Sequence, residues 1–544
     1  MWRRMAAALA VCGLAAAGCG DDADEQGGTD ASGCAARTTL GAVEGAVEGA
    51  VEGAVEGAAA RDGLCVFRGI PYAAPPTGEL RFRPPQPVAP WQGTLRATDG
   101  SRVCPQVRDS LSEEYPDDRE VFGDEDCLRL NVWTPRPDRS SARPVLVFVH
   151  GGAARFGTAN EPRYDGAALA TKGDAVVVSI NYRLGALGWA ELGGLDPAYR
   201  GSANNGLRDQ MAALAWVREH IADFGGDPAN VTAFGESEGA FGLSAMLATD
   251  HPERLFRRVI LQSGTGYLVH SAAARPARPP VEDMAVLKTM PAGELVERQE
   301  KALARTAPGA AGAVYFGPSV DGTLVRDSTI ARVTEGNAKG VDILLGTNRD
   351  EVNFFGQEGP ERMRALAQAY GPTFFPRSLA PARERMAAAY RAGRSPTDAE
   401  LAMFTDQAMR VPAIRLAEAQ ARWRPTYLYE FAWRPAAGVG AVHTAELPFV
   451  FGTLRFTGIA GGAEALRTDR DRLAELSARM VDAWTSFART GDPNARKLTP
   501  RPDWPPYHPP NRATMTWDLD PHVLNDPRGN ERELWRDVPL VSLR

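Results

Sequence analysis

The stretch VTAFGESEG, at residues 231–239, joins a short apolar run to the pattern Gly-x-Ser-x-Gly. Residues 231–234 predict a buried strand, and a helix is expected to begin at Ser237. A sharp turn between them would lift the serine hydroxyl clear of the backbone, and Gly235 and Gly239 leave room for the close chain approach that such a turn needs. The plainer interpretation is a strand-to-helix turn with a serine N-cap. In this context, the pattern makes Ser237 a candidate nucleophile.

Further apolar runs flank this stretch. Residues 145–149 (VLVFV) and 175–180 (AVVVSI) are typical of central strands that are buried on both faces. Residues 205–224 have helical spacing, and shorter strands are expected at residues 259–261 and 343–345. Strands that alternate with helices predict an α/β fold whose mostly parallel central sheet is flanked by helices.

Two segments, 268–315 and 356–424, are rich in Ala, Arg and Glu and are expected to be helical. We expect them to form a cap over the carboxyl edge of the sheet, where open α/β sheets bind ligands. No linker divides residues 61–544, so we expect a single catalytic domain there.

A glycine-rich loop follows the first central strand. Residues 150–153 (HGGA) match the loop type whose backbone N–H groups bind the oxyanion of a tetrahedral intermediate. The expected donors are the N–H groups of Gly152, Ala153 and Glu238, and each such donor commonly contributes about 3 kcal/mol of transition-state stabilisation. A flexible glycine turn is the alternative, but the order of strand, histidine and glycines favours an oxyanion hole. Combined with Ser237, this loop predicts the α/β-hydrolase fold.

Further motifs resemble those of the type-B carboxylesterases, a family that includes cholinesterases and bacterial para-nitrobenzyl esterases. Residues 67–73 (FRGIPYA) and 125–132 (EDCLRLNV) resemble its two signatures, and residues 181–185 (NYRLG) and 224–228 (FGGDP) are also similar to family segments. The resemblance extends from about residue 67 to the C-terminal region. It implies a serine esterase that needs no metal or organic cofactor.

The resemblance also implies the other catalytic groups. It places the acid at Glu351, in the segment GTNRDE, and the base at His443, in the segment HTAELP. The order Ser237, Glu351, His443 is that of α/β hydrolases. Asp350 is the main rival for the role of the acid. The resemblance further implies three supporting polar residues, for which ordinary polar packing is the alternative: Glu236, Ser263 and Glu446.

Two positions beside the predicted oxyanion hole depart from the family. The residue after the nucleophile is usually alanine in the family, but here it is Glu238. The position after Ala153 is usually aromatic, and we expect the smaller Ala154 to open space there. A carboxylate near developing negative charge is unfavourable. We therefore hypothesise that Arg155 offsets the charge of Glu238, with a solvent-facing Glu238 as the alternative.

The N-terminal residues predict export. Two arginines precede an apolar run that ends in small residues before Cys19, which resembles a bacterial lipobox. Residues 1–18 are thus expected to be a signal peptide of the lipoprotein type and Cys19 to be lipidated; processing that is insensitive to globomycin would favour an ordinary signal peptide. We expect residues 19–40 to be a disordered acidic tether. The Ala-Val-Glu-Gly repeat at 41–60 is expected to lengthen an edge hairpin or loop.

An exported protein commonly contains disulfides. The chain has four further cysteines, and their spacing is not that of metal ligands: Cys34, Cys65, Cys104 and Cys127. They allow three pairings. The family resemblance implies Cys104–Cys127, and it supports more weakly Cys34–Cys65, which would brace the hairpin that carries the repeat. No tryptophan lies between Cys104 and Cys127, where cholinesterases use one to bind choline, so cholinesterase activity is not expected.

The charge distribution narrows the choice of partners. The formal net charge is −7, but residues 19–60 alone hold nine acidic residues against one arginine, so the rest of the chain is nearly neutral. Without a basic field, we expect no nucleic-acid partner. We expect a small-molecule ester substrate and membrane contact only through a lipid anchor, with the oligomeric state left open. A secreted or envelope carboxylesterase is the main prediction. A lipase or polyester hydrolase of the same fold and a non-catalytic adhesion-type protein are the alternatives.

Overall fold

The structure, a computed structural model, describes most of the chain after the predicted export signal. The described residues are 34–48, 63–98, 102–108, 121–266, 277–306, 315–357, 359, 361–365, 367–368, 379–435 and 440–540. The predicted signal peptide (1–18) and the predicted lipidation site, Cys19, lie outside the described residues.

The strands of the described ranges form one large sheet and two small ones. In spatial order the large sheet is β3-β4-β8-β10-β9-β11-β12-β13-β14-β15-β16, and the small sheets are β1-β2-β5 and β6-β7. The strands are β1 (Ala35–Thr38), β2 (Gly41–Glu44), β3 (Ala46–Glu48), β4 (Leu64–Pro71), β5 (Thr94–Arg96), β6 (Gln106–Val107), β7 (Val121–Phe122), β8 (Arg129–Thr134), β9 (Arg143–Val149), β10 (Val176–Ile180), β11 (Gly226–Glu236), β12 (Arg258–Gln262), β13 (Asp342–Asn348), β14 (Thr426–Phe431), β15 (Ala513–Trp517) and β16 (His522–Asn525). The seven strands from β10 to β15 in this order are parallel, and antiparallel pairs lie at both ends. The prediction of an α/β-hydrolase fold with a mostly parallel central sheet is confirmed.

Helices cover both faces of the large sheet. They are α1 (Ala167–Gly173), α2 (Gly185–Trp189), α3 (Asn205–His220), α4 (Glu238–Met246), α5 (Met284–Thr289), α6 (Ala292–Thr306), α7 (Thr329–Thr334), α8 (Ala380–Tyr390), α9 (Pro396–Thr405), α10 (Val411–Gln420), α11 (Leu447–Val450), α12 (Gly462–Thr468), α13 (Arg470–Thr490) and α14 (Gly529–Leu534). In the described ranges, none of the helices combines the length and apolarity needed to cross a bilayer.

Strand β9 shows why the central runs are apolar at every position. Its residues from Val145 to Val149 are fully buried. Val147 packs into one hydrophobic core, and Leu146 and Phe148 pack into another. Successive side chains of a strand point to opposite faces, so a strand with helices on both sides needs apolar residues throughout.

The two segments predicted as a cap contain helices where they are described. The first holds α5 and α6, and the second holds α8, α9 and α10. Between α9 and α10 the chain makes a π-helical segment, Asp406–Arg410. Residues of α8 and α9 share a separate small core with Val352 and Trp535, so the second segment packs directly on the chain that follows β13.

The N-terminal boundaries of the predicted domains need correction. Residues 35–38 form β1, which pairs with β2, so the predicted disordered tether (19–40) ends before this strand. The first repeat units supply β2 and the edge strand β3, which pairs with β4. The sheet therefore begins within the repeat (41–60) rather than at residue 61, while residues 49–62 lie outside the described residues.

Both predicted disulfides are confirmed. Cys34 pairs with Cys65, and Cys104 pairs with Cys127. The first joins the start of β1 to β4 and so fastens the N-terminal strands to the large sheet. The second closes the segment that carries β6 and β7, which packs against helix α6.

Candidate active site

Ser237 lies at the turn between β11 and α4. Its backbone has φ 54° and ψ −123°, a region in which a non-glycine residue costs on the order of 1–3 kcal/mol. The turn is held from both sides, because Ser237 N donates to Gln262 O at 3.0 Å and Phe241 N donates to Ser237 O at 2.9 Å. Ser237 is partly exposed, whereas Glu236 and Glu238 are each 1% exposed. The turn therefore presents the serine alone to the outside.

The glycines on either side of the serine are required by close packing. A Cβ atom on Gly239 would overlap the backbone carbonyl of Val149. A Cβ atom on Gly235 would lie 2.8 Å from the carbonyl carbon of Gly239, which is closer than a real Cβ contact. The predicted sharp strand-to-helix turn is thus present, and it lies against the end of β9.

His443 and Glu351 lie together although 92 residues separate them. His443 Nδ1 is 2.6 Å from Glu351 Oε2, and the other carboxylate oxygen of Glu351 accepts a hydrogen bond from Asn348 N at 2.7 Å. Asp350, the rival acid, instead accepts a hydrogen bond from Ala441 N at 2.9 Å. When Nδ1–H donates to a carboxylate, Nε2 of the neutral imidazole is the basic nitrogen. Glu351 therefore has the geometry of an orienting acid.

The other edge of the imidazole faces the turn. His443 Nε2 lies 3.1 Å from Oε1 of Glu236, the residue directly before Ser237. Burial raises the pKa of Glu236 to about 8, and Glu446 and Glu351 act in the same direction while His443 opposes them. Burial alone would lower the pKa of His443, but the charges of Glu236 and Glu351 outweigh it and raise that pKa to about 9. The histidine therefore binds its proton more tightly than an exposed histidine does.

A further buried glutamate, Glu446, lies near His443 and Glu351. Glu446 is fully buried and accepts hydrogen bonds from Gln262 Nε2 at 3.0 Å and Asn348 Nδ2 at 2.6 Å. Burial and the nearby Glu351 raise its pKa. Asn348 thus bridges the two carboxylates Glu351 and Glu446, a role that the sequence analysis missed. Its position at the end of β13, three residues before the predicted acid, was the available signal.

Ser263, the third supporting residue implied by the resemblance, is fully buried after β12. Its backbone has φ 50°, and its N–H donates to Gly346 O at 2.9 Å. In the part of the chain that the structure describes, no hydrogen bond joins its hydroxyl to the carboxylates. The described hydrogen bond of Ser263 is thus made by its backbone, and its supporting role stays a prediction.

The predicted oxyanion loop has an unusual backbone. Gly152 has φ 103°, and Ala153 and Ala154 follow with φ 55° and 56°. A left-handed conformation costs an alanine roughly 1–2 kcal/mol, so two in a row must be held by their surroundings. A Cβ atom on Gly152 would overlap the carbonyl of Phe156, so this position requires glycine. Within the described ranges, no protein acceptor takes the N–H of Gly152 or of Ala153, as an oxyanion hole requires.

His150, at the start of the loop, is a structural residue. Its ring stacks on Tyr182 with the centroids 4.6 Å apart, and its Nδ1 lies 2.8 Å from Gly151 O. Burial lowers the pKa of His150 to about 4, so the ring stays neutral at physiological pH.

The positions that depart from the family have specific surroundings. Glu238 is buried, so the alternative of a solvent-facing side chain is wrong. Arg155 forms an ion pair with Glu300 of α6. Ala154 is fully buried, and its carbonyl accepts a hydrogen bond from Gly185 N at 2.6 Å. The expected opening of space at this position stays a prediction.

Two aromatic residues follow the predicted acid and were also missed. They lie on the 3₁₀ turn Glu351–Gly356. The ring of Phe354 is edge-on to His443 with the centroids 6.1 Å apart, and Phe355 packs on Phe354 and is 40% exposed. These rings place accessible apolar surface beside the histidine. In the described parts of the chain, no group of three or more His, Cys, Asp or Glu side chains is arranged to hold a metal ion.

Comparisons with known proteins show what this chain is similar to. The model of the carboxylesterase family matches residues 41–535. The chain is 36% identical over 483 residues to the para-nitrobenzyl esterase of Bacillus subtilis (strain 168), which covers 87% of this chain and 95% of the relative. It is 34% identical over 470 residues to the phenmedipham hydrolase of Pseudarthrobacter oxydans, which covers 84% and 91% of the two chains.

Solved structures give the same result. A crystal structure of a Geobacillus stearothermophilus carboxylesterase at pH 6.2 superimposes with a TM-score of 0.75 at 35% identity, over 92% of this chain and all of the other. A thermophilic PNB esterase has a TM-score of 0.75 at 33% identity, over 92% and 99% of the two chains.

Proposed function

Because the chain belongs to the carboxylesterase family and is a carboxylic-ester hydrolase, we propose that it cleaves small and medium-sized esters through an acyl-enzyme on Ser237, with His443 as the base and Glu351 as the acid. The contact that carries this proposal is the 2.6 Å approach of His443 Nδ1 to Glu351 Oε2, beside the strained turn at Ser237. Esters need a nucleophile, a proton carrier and an oxyanion site, and the described residues offer one group for each role.

The first half-reaction forms the acyl-enzyme. Ser237 Oγ attacks the ester carbonyl while His443 Nε2 takes the hydroxyl proton. Glu351 keeps the Nδ1–H tautomer and stabilises the imidazolium that results. The N–H groups of Gly152, Ala153 and Glu238 are assigned to the developing oxyanion. The carbon–oxygen bond to the alcohol then breaks, and the alcohol leaves with the proton from His443.

The second half-reaction releases the acid. Water gives a proton to His443 Nε2 and attacks the acyl carbonyl, and the same N–H groups receive the oxyanion. Collapse of this intermediate returns the proton to Ser237 Oγ and frees the carboxylic acid. No group other than the protein and water enters this cycle.

The surface beside the histidine supports ester substrates with apolar parts. The rings of Phe354 and Phe355 provide it, and the aromatic edge of Phe354 lies directly against His443. Lipase or polyester hydrolase activity would use the same catalytic groups, so only substrate preference separates these alternatives from the main proposal. One relative is named a phenmedipham hydrolase, which makes that compound a further candidate substrate.

A substrate panel tests the proposal. It contains p-nitrophenyl esters from acetate to palmitate, p-nitrobenzyl acetate and phenmedipham. We expect kcat/KM to be highest for short and medium acyl chains and to fall for palmitate. Preference for emulsified long-chain esters would instead support a lipase, and absence of turnover on every ester would support the adhesion-type alternative.

The pH dependence of kcat/KM is expected to report the proton affinity of His443. The base must be neutral to accept the serine proton, so activity is lost as pH falls through its pKa, which the neighbouring carboxylates raise to about 9. Glu236→Gln removes the strongest of these raising charges, and the acid limb of the profile should move to lower pH. Profiles of kcat/KM against pH for the two proteins measure the shift.

Glu446→Gln provides the graded control for this shift. Glu446 raises the pKa of His443 less than Glu236 does. The acid limb of the kcat/KM profile of Glu446→Gln should therefore move to lower pH by a smaller amount. An acid limb that stays in place in Glu236→Gln would contradict the assignment of His443 as the titrating base.

The N-terminal prediction of a lipidated Cys19 stays a proposal of its own. It concerns residues outside the described ranges. The two disulfides, Cys34–Cys65 and Cys104–Cys127, support export to an oxidising compartment.

A further inference from the structure

The segment that begins with the predicted oxyanion loop (150–153) continues to Gly157, where hydrogen bonds tie it to other parts of the chain. Gln106, which is 1% exposed, makes two hydrogen bonds to Gly157. Gly157 N donates to Gln106 Oε1 at 2.8 Å, and Gln106 Nε2 donates to Gly157 O at 3.0 Å. This pair holds the end of this segment against the disulfide-closed segment.

A second set of contacts ties the middle of this segment to α6. The guanidinium of Arg155 contacts both carboxylate oxygens of Glu300, with Nε 3.4 Å from Oε1 and Nη2 against Oε2. The two side chains are 18% and 24% exposed, so solvent screens the pair less than it would an exposed one. Gln299, the neighbour of Glu300, donates from Nε2 to Glu300 Oε1 at 3.0 Å. The ion pair and the glutamine thus form one connected group.

Through Gln299, this ion-pair group also contacts the segment of residues 185–186, which hydrogen-bonds to Ala154. Gln299 Oε1 accepts a hydrogen bond from Ala186 N at 2.7 Å. Gly185 N donates to Ala154 O at 2.6 Å, and a Cβ atom on Gly185 would overlap the amide of Gln299. Two adjacent residues that follow the oxyanion loop are therefore connected to adjacent residues of α6, one through the ion pair and the other through the 185–186 segment.

We propose that Arg155 and Glu300 are positioning residues that hold the oxyanion loop in its active conformation. This inference rests on the proposed function, because it concerns the hole that would stabilise the ester intermediate. Ala153 and Ala154 both have left-handed backbones, which persist only where the surroundings enforce them. Without the ion pair the loop relaxes, and the N–H groups of Gly152 and Ala153 no longer point at the oxyanion. The effect falls on the transition state rather than on substrate binding.

Kinetics on the full-length protein with p-nitrophenyl butyrate test this proposal. Arg155→Met and Glu300→Gln should each lower kcat about tenfold, less than the loss of a whole oxyanion donor, and change KM less than about twofold. Affinity for a trifluoromethyl ketone transition-state analogue should fall in parallel with kcat. The double variant should be no worse than either single variant, since both remove one interaction. Arg155→Lys keeps the charge but loses the bidentate contact, so its kcat should lie between those of the wild type and Arg155→Met.

Glu297→Gln is the matched control. Glu297 lies on the same helix and pairs with Lys301 through side chains that are 55% and 71% exposed, so its loss should leave kcat unchanged. Thermal unfolding of all variants separates a positioning role from a general loss of stability, which would lower the melting temperature without lowering kcat per active site.

Several outcomes would overturn the proposal. Wild-type kcat in Arg155→Met and Glu300→Gln, or additive losses in the double variant, would show that the pair does not act on the loop. A raised KM at constant kcat would assign Arg155 to substrate binding. Restoration of activity by Glu238→Gln in the Arg155→Met background would support the offsetting of Glu238 instead. Failure of the proposed function itself is distinct, because Ser237→Ala would then retain turnover.

Discussion

Ser237→Ala is expected to lower kcat for ester hydrolysis by about 10⁴-fold or more. Alanine cannot form the acyl-enzyme, and the residual rate comes from the oxyanion hole and substrate binding alone. Hydrolysis of p-nitrophenyl butyrate measures the loss. A fluorophosphonate probe should label the wild type at Ser237, as peptide mass spectrometry would show, and should not label the variant.

Ser244→Ala is the control for this substitution. Ser244 lies on α4, the helix that begins after the nucleophile, and is fully buried. Its hydroxyl has no hydrogen-bond partner among the described residues, so its removal should leave kcat close to the wild-type value. Undiminished turnover in Ser237→Ala would overturn the assignment of the nucleophile.

Glu351→Gln is expected to lower kcat by a similar factor of about 10⁴. The amide carries no charge to stabilise the imidazolium, and it can donate to Nδ1 of His443 and so favour the wrong tautomer. Glu351 is 1% exposed, and its second oxygen accepts a hydrogen bond from Asn348 N. The glutamine side chain therefore cannot move away from His443 into solvent. Steady-state kinetics across the pH range measure kcat and show whether the acid limb persists.

Asp350→Asn is the matched control for the acid. Asp350 is the neighbouring carboxylate, and burial raises its pKa. It accepts a hydrogen bond from Ala441 N, which an asparagine oxygen can also accept, so the variant should keep kcat within about tenfold of the wild type. A larger loss in Asp350→Asn than in Glu351→Gln would make Asp350 the acid.

These two tests differ in how much they depend on the folded structure. The nucleophile could be predicted from residues 231–239 because the strand, the turn and the glycines are neighbours in the chain. The acid could be placed only through a family resemblance, because periodicity does not distinguish Glu351 from Asp350. In the structure, Glu351 contacts Nδ1 of His443, whereas Asp350 accepts a hydrogen bond from Ala441 N.

The sequence by itself determined the fold class, the strand-to-helix turn at Ser237 and the glycine-rich loop at 150–153. These features rest on short-range patterns: apolar runs for strands buried on both faces, and glycines where backbones approach closely. An even set of cysteines in an exported chain predicted disulfides but left three pairings open, and the family resemblance implied the two that form.

Only the tertiary structure decided which distant groups meet at the site. It buries Glu238, pairs Arg155 with Glu300, and places Asn348 between two glutamates. The Arg155–Glu300 and Asn348–Glu446 contacts join residues 145 and 98 positions apart in sequence, and the fold brings these segments together. The physical reason is that a side chain's partner depends on which segments the fold makes adjacent. The spacing of residues along the chain does not indicate which distant segments become neighbours.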